Sequence, residues 1–134
     1  KDYAAAEKSY QSVIKTQPNN AIAYNNLAWV TGQLKKDGAI EQAETANKLA
    51  PNQPAFMDTS AMLYSDKNDY GKALEWQSKA VTLQPQNTLF KLNLAKIHLK
   101  GGKKDLAKKE LDELAKLGEK FPAHAEVASL LKSM

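Results

Sequence analysis

Apolar residues recur along the chain at helical spacing, first in the run "AYNNLAWVTGQL", Ala23 to Leu34. Tyr24, Leu27, Ala28 and Thr31 fall at i, i+3, i+4 and i+7, so about 100° per residue gathers them on one face. Trp29 lies roughly 140° around from Tyr24, off that stripe. The stripe returns as Met57, Ser60, Ala61 and Tyr64, and again as Lys91, Leu94, Ala95 and His98. Each is followed by a second helical run: Ala39, Ala43 and Ala46, then Ala73, Gln77 and Ala80, then Ala107, Leu111 and Leu114. Near the C-terminus Ala123, Val127, Leu130, Leu131 and Met134 share one side, with His124, Glu126, Ser129 and Lys132 toward solvent. That is the pattern of a capping helix, or of the first helix of one more repeat.

Prolines at 18, 51 and 85 close the phrases "IKTQPNN", "NKLAPNQP" and "VTLQPQN", at spacings of 33 and 34 residues. Val13, Ala46 and Ala80 stand five residues before them, and Ala6, Ala39 and Ala73 stand twelve before. Small residues at fixed offsets let two helices approach closely, and a proline after the second helix cannot continue it. A period of about 34 with helix, turn, helix and terminal proline is the signature of a helical solenoid.

On these residues the chain resembles the tetratricopeptide repeat family, whose pattern is W-x2-L-G-x2-Y, then A-x3-F, A and P. The resemblance implies an all-α fold, a right-handed α-solenoid divided as a half repeat over 1–18, repeats over 19–51, 52–85 and 86–120, and a cap over 121–134. The first segment, "KDYAAAEKSYQSVIKTQP", matches only the second half of a repeat, with Asp2-Tyr3 standing as Asp69-Tyr70 do later. The expectation is therefore a fragment of a longer array, whose first helix is exposed through Tyr3, Ala6, Tyr10 and Val13 and prone to self-association. Three departures matter. The turn "QLKKDG" is one residue short, since Leu27 to Ala39 spans twelve residues and Ser60 to Ala73 thirteen. Lys91 occupies a core place, with Phe90 available to fill it. Glu119 stands where proline is usual, and "EKFP" predicts a long final repeat helix before Phe121-Pro122.

Composition narrows the function. The chain has 134 residues, 43% hydrophobic, no Cys and a formal charge of +4. It is rich in Ala, Leu, Lys, Glu and Gln, all good helix formers, and has no run long enough to span a membrane. All nineteen basic residues are Lys. Arg supplies the planar fork that reads guanine and clamps phosphate, so nucleic acid is not an expected partner. No catalytic, metal or cofactor motif is present, and no enzyme activity is expected. His98 sits in the packing place that Tyr64 fills one repeat earlier, and "KGGKKD" reads as a turn with solvated lysines.

What remains is a surface for a protein or peptide. In stacked hairpins the first helices line the concave groove. Residues about 100–160° off the core stripe face it or the adjoining helix. Those nominated are Asn25, Trp29, Asp58, Met62 and Lys96, with Trp29 and Met62 one repeat apart and expected as neighbours. Ile22 and Leu89 share the same offsets, and Leu89, Leu92 and Leu99 are expected as seam beneath the cap helix. The places matching the carboxylate clamp of chaperone-tail binders hold Asn25 and Trp29, Met62, then Leu92 and Lys96, keeping one basic residue of three. Chaperone-tail binding is not implied. "NNLAW" followed by "MDTSAMLY" is similar to phrases in bacterial repeat lipoproteins of exosortase and exopolysaccharide systems, which implies an envelope setting. The alternative to a groove binder is an architectural spacer or oligomerisation module.

Overall fold

The computed structural model describes residues 2–134; Lys1 and the side chain of Glu119 lie outside the described residues. Eight α-helices follow in order: α1 (Tyr3–Thr16), α2 (Ala21–Gln33), α3 (Ala39–Leu49), α4 (Pro54–Asp66), α5 (Tyr70–Leu83), α6 (Thr88–Lys100), α7 (Lys104–Ala115) and α8 (His124–Lys132). No strand occurs among the described residues.

Local chemistry sets the boundaries. Asp2, Asn20, Asp69 and Asn87 each accept, through the side chain, a backbone N–H three residues on, at 2.9 to 3.2 Å. Each contact satisfies an orphan donor of a helix N-terminus, worth about 1 kcal/mol apiece. Pro54 opens α4, where its missing N–H is no loss. Left-handed residues close the first helices of the hairpins: Lys35 at φ 58°, Asn68 at 64° and Gly102 at 84°. Lys35 is the unusual one, because a Cβ in that region costs about 1–2 kcal/mol. It sits in the turn that is one residue short.

Helices pack in sequence, each on the next, and the first helices α2, α4 and α6 also touch directly. Alanines make this possible: Ala28, Ala46, Ala61, Ala73, Ala80, Ala95 and Ala107 are all wholly buried. Gly32 marks a close approach of α2 to α4, since a Cβ there would stand 2.6 Å from Leu63 Cδ2. Phe90 is buried with Met57 and Ala80, while the half-buried Lys91 lines an open depression with Leu94 and Leu114, which Phe90 does not line. At the C-terminal end, Leu92, Ala95, Leu111, Leu114, Phe121 and Val127 form one cluster covered by Ala123, Leu130, Leu131 and Met134. Leu92 is thus seam, as expected, whereas Leu89 stays 55% exposed.

One expectation fails. The last repeat helix does not run long: α7 stops at Ala115, and a 3-10 turn over Gly118–Lys120 leads to buried Phe121. Gly118 takes φ 64°, a conformation that breaks the helix and turns the chain so that Phe121 can reach the cluster.

Candidate interaction surface

Polar side chains join the repeats. Asp58 Oδ1 on α4 accepts from Gln77 Nε2 on α5 and from Asn93 Nδ2 on α6, both at 2.9 Å. Gln77, fully buried, also donates to the Phe90 carbonyl at 2.9 Å. Between α3 and α4, Asn47 Nδ2 donates to Ser60 Oγ at 2.8 Å and Tyr64 donates to Glu44 Oε2 at 2.6 Å. Burial first, then that hydrogen bond to a carboxylate, pushes the Tyr64 phenol up to about 12. His98 Nδ1 meets Glu110 Oε1 at 2.7 Å, joining α6 to α7 and satisfying the imidazole in its packing place. Among the described residues no three His, Cys, Asp or Glu side chains are grouped to hold a metal ion.

Against this frame the five nominated residues behave differently. Trp29 is 44% exposed, yet its ring meets Tyr3 of α1 edge-on, with centroids 5.6 Å apart at 77°. Trp29 thus has an aromatic neighbour in the preceding helix, in addition to the expected place beside Met62 one repeat on. Met62 is half-buried against the cluster of Ala61, Tyr64, Ala73 and Ile97. Asn25 is half-buried, with its Oδ1 enclosed and without a hydrogen-bond partner among the described residues. Asp58 is the junction of the network above, and Lys96 forms an ion pair with Glu126 of α8. These last two tie helices together at the edge of the surface.

Ile22 is more open than Trp29, at 64%. With Leu89 it extends the apolar content of the first-helix side. Sequence reasoning placed both at the right offset and passed over them in favour of the tryptophan. Tyr3 was missed as the partner of Trp29, although the matching Asp2-Tyr3 and Asp69-Tyr70 phrases mark it as a recurrent packing tyrosine.

The structure therefore defines an all-α solenoid of stacked helical hairpins whose first helices carry exposed apolar side chains. Residues 57–87 match the model described as Tetratricopeptide repeat. The chain is 33% identical over 97 residues to the small glutamine-rich tetratricopeptide repeat-containing protein 2 of Mycosarcoma maydis, covering 71% of this chain and 27% of that protein. Its fold is similar to a thermophilic TPR protein of Thermus thermophilus, at TM-score 0.78 and 14% identity, over 95% of this chain and 70% of that one. It is also similar to MamA, at TM-score 0.76 and 16% identity, over 98% of this chain and 85% of that one. These findings support the tetratricopeptide repeat family, and with it a scaffold for protein–protein interaction. The chain spans only about a quarter of the curated relative's length, 27%. No helix among the described residues is long and apolar enough to cross a membrane.

Proposed function

We propose that this protein is a non-catalytic scaffold that takes an extended protein or peptide segment along its first-helix side, within an envelope or exopolysaccharide assembly system. One observation carries the reading: Trp29 is held in place by Tyr3 and still offers nearly half its surface, 44%. An aromatic anchored at one edge and open at the other gives contact area at little entropic cost, as binding hot spots do. Ile22 extends that contact, Met62 adapts to the segment's shape, and the orphan Oδ1 of Asn25 accepts a backbone N–H. Asp58 and Lys96 fix the helices that line the surface and set its polar edge.

The experiment is affinity capture of partners by this protein, repeated with Trp29→Ala. A partner held by the wild type and lost by the variant is expected, with folding stability lowered by only about 1–2 kcal/mol for a half-buried aromatic pair. Equal capture by both forms would sink the groove reading.

A second reading rests on α1, none of whose residues is buried. Its half-exposed Tyr3, Tyr10 and Val13 suit self-association with another copy. Sedimentation equilibrium showing a monomer across a wide concentration range would remove it.

A further inference from the structure

A tyrosine stands three residues before the first small alanine in two of the second helices. Tyr3 precedes Ala6 in α1, and Tyr70 precedes Ala73 in α5. Both rings pack at the joint to the following first helix: Tyr3 against Trp29 of α2, and Tyr70 against Gly101, which caps α6. A Cβ at Gly101 would lie 3.3 Å from Tyr70 Cβ and Cγ, so glycine makes room for that ring.

The hairpin between them breaks the rule twice. Three residues before Ala39 stands Lys36, and one period before Gly101 stands Lys67. Lys36 does not fill the gap; its ammonium reaches back to Glu7 of α1 at 2.8 Å. The result is an open depression of about 490 Å3 where α2, α3 and α4 meet. That volume lies within the ~300–1,000 Å3 usual for ligand clefts. Ala39, Ile40 and Leu63 give it an apolar floor, and Lys35, Lys36 and Lys67 stand at its rim. The one acid at the rim, Asp66, already faces Lys100 at 3.7 Å. Lys35 and Lys67 have no ion-pair partner among the described residues. The left-handed backbone at Lys35, φ 58°, belongs to the same shortened turn that shapes the rim.

We propose that this depression is a second docking site, for a segment of another protein that presents an aromatic side chain flanked by carboxylates. The aromatic ring enters the place that a tyrosine occupies in the neighbouring repeats, and the carboxylates meet Lys35 and Lys67. Ring and charge act together, because the floor gains from excluding water and the lysines gain from complementary charge. None of the residues nominated for the groove lines the depression, so the two sites are separable.

The probe is a short capped peptide with one tyrosine between glutamates, titrated into the isotopically labelled chain with amide shifts followed by NMR. Shifts are expected at Ala39, Ile40, Leu63 and Lys67, with affinity falling as salt rises. Lys36→Tyr supplies the side chain found at this place in α1 and α5, so the fold should hold while the site fills; binding is expected to weaken roughly ten-fold or more. Lys67→Glu should weaken it in the same direction through charge alone, and Trp29→Ala should leave it unchanged. A peptide with alanine for tyrosine that binds equally well, shifts confined to other surfaces, or undiminished binding by Lys36→Tyr would each overturn the assignment. Self-association that Lys36→Tyr abolishes would put a second copy of this chain in the site and overturn it equally.

Discussion

At the C-terminal end, Leu92, Ala95, Leu111, Leu114, Phe121 and Val127 are buried together under α8, whereas α1 at the other end buries none of its residues. The two ends carry similar amphipathic sequence. The difference is position in the stack: α6 and α7 are covered by α8, whereas α1 is the outermost helix and packs chiefly on α2. A helix in a solenoid presents one face to each neighbour, and burial is complete only when both are present. Between the ends, the joints depend heavily on polar contacts: Asp58 with Gln77 and Asn93, Asn47 with Ser60, Tyr64 with Glu44. Apolar burial thus dominates the closed end, smaller apolar clusters and part-buried hydrogen bonds together join the middle, and α1 at the open end buries no residue.

The comparison breaks most sharply at the closed end. Leu111→Ala is expected to lower folding stability by about 3 kcal/mol, since a wholly buried leucine leaves a cavity. Val13→Ala in α1 should cost under about 1 kcal/mol, because the smaller, half-exposed side chain leaves no sealed void. Urea denaturation of the two variants measures the gap; equal losses would mean the ends are equally covered.

The middle comes next. Asp58→Ala removes the acceptor for Asn93 and for one contact of buried Gln77, and is expected to cost about 2 kcal/mol. Combined with Asn93→Ala, the loss should be smaller than the sum, as for any pair sharing one contact. Strict additivity would show that the network does not couple α4 to α6.

The smallest effect is at Tyr64. Its phenol is raised to about 12, so the folded chain keeps a proton that the unfolded chain releases near its ordinary value of about 10. The unfolded state binds fewer protons in that window. The stabilisation is therefore complete below pH ~10 and is lost as pH rises toward about 12. Tyr64→Phe is expected to cost about 1 kcal/mol at neutral pH by freeing the Glu44 contact. Chemical denaturation across that window should show the wild type losing its advantage over the variant; a constant difference would refute the assignment.

Much of the fold was legible because it is periodic. Alanines at fixed offsets and prolines after the second helices report local constraints that each residue carries by itself. The place of His98 was legible for the same reason, since one repeat serves as a template for the next. The surface was less so. Helical arithmetic put Asn25, Trp29, Asp58, Met62 and Lys96 on a common side, but it could not tell an open side chain from one already engaged. Asp58 and Lys96 are committed to partners 35 and 30 positions along the chain, as the contacts to Asn93 and Glu126 show. The end of α7 was misread because the missing proline at Glu119 was taken to let the helix continue, whereas Gly118 takes a positive φ and turns the chain.

By itself, then, the sequence determined an all-helical repeat array, its period and its lack of catalytic motifs. Those properties follow from propensity and spacing, which act over one or two turns of chain. Only the tertiary structure decided that Trp29 rests on Tyr3 while staying half open, that Asp58 is a joint, and that the first hairpin leaves a depression where its neighbours place a tyrosine. Each depends on which helix lies alongside and how closely, and that distance is set by the packing of all the hairpins together.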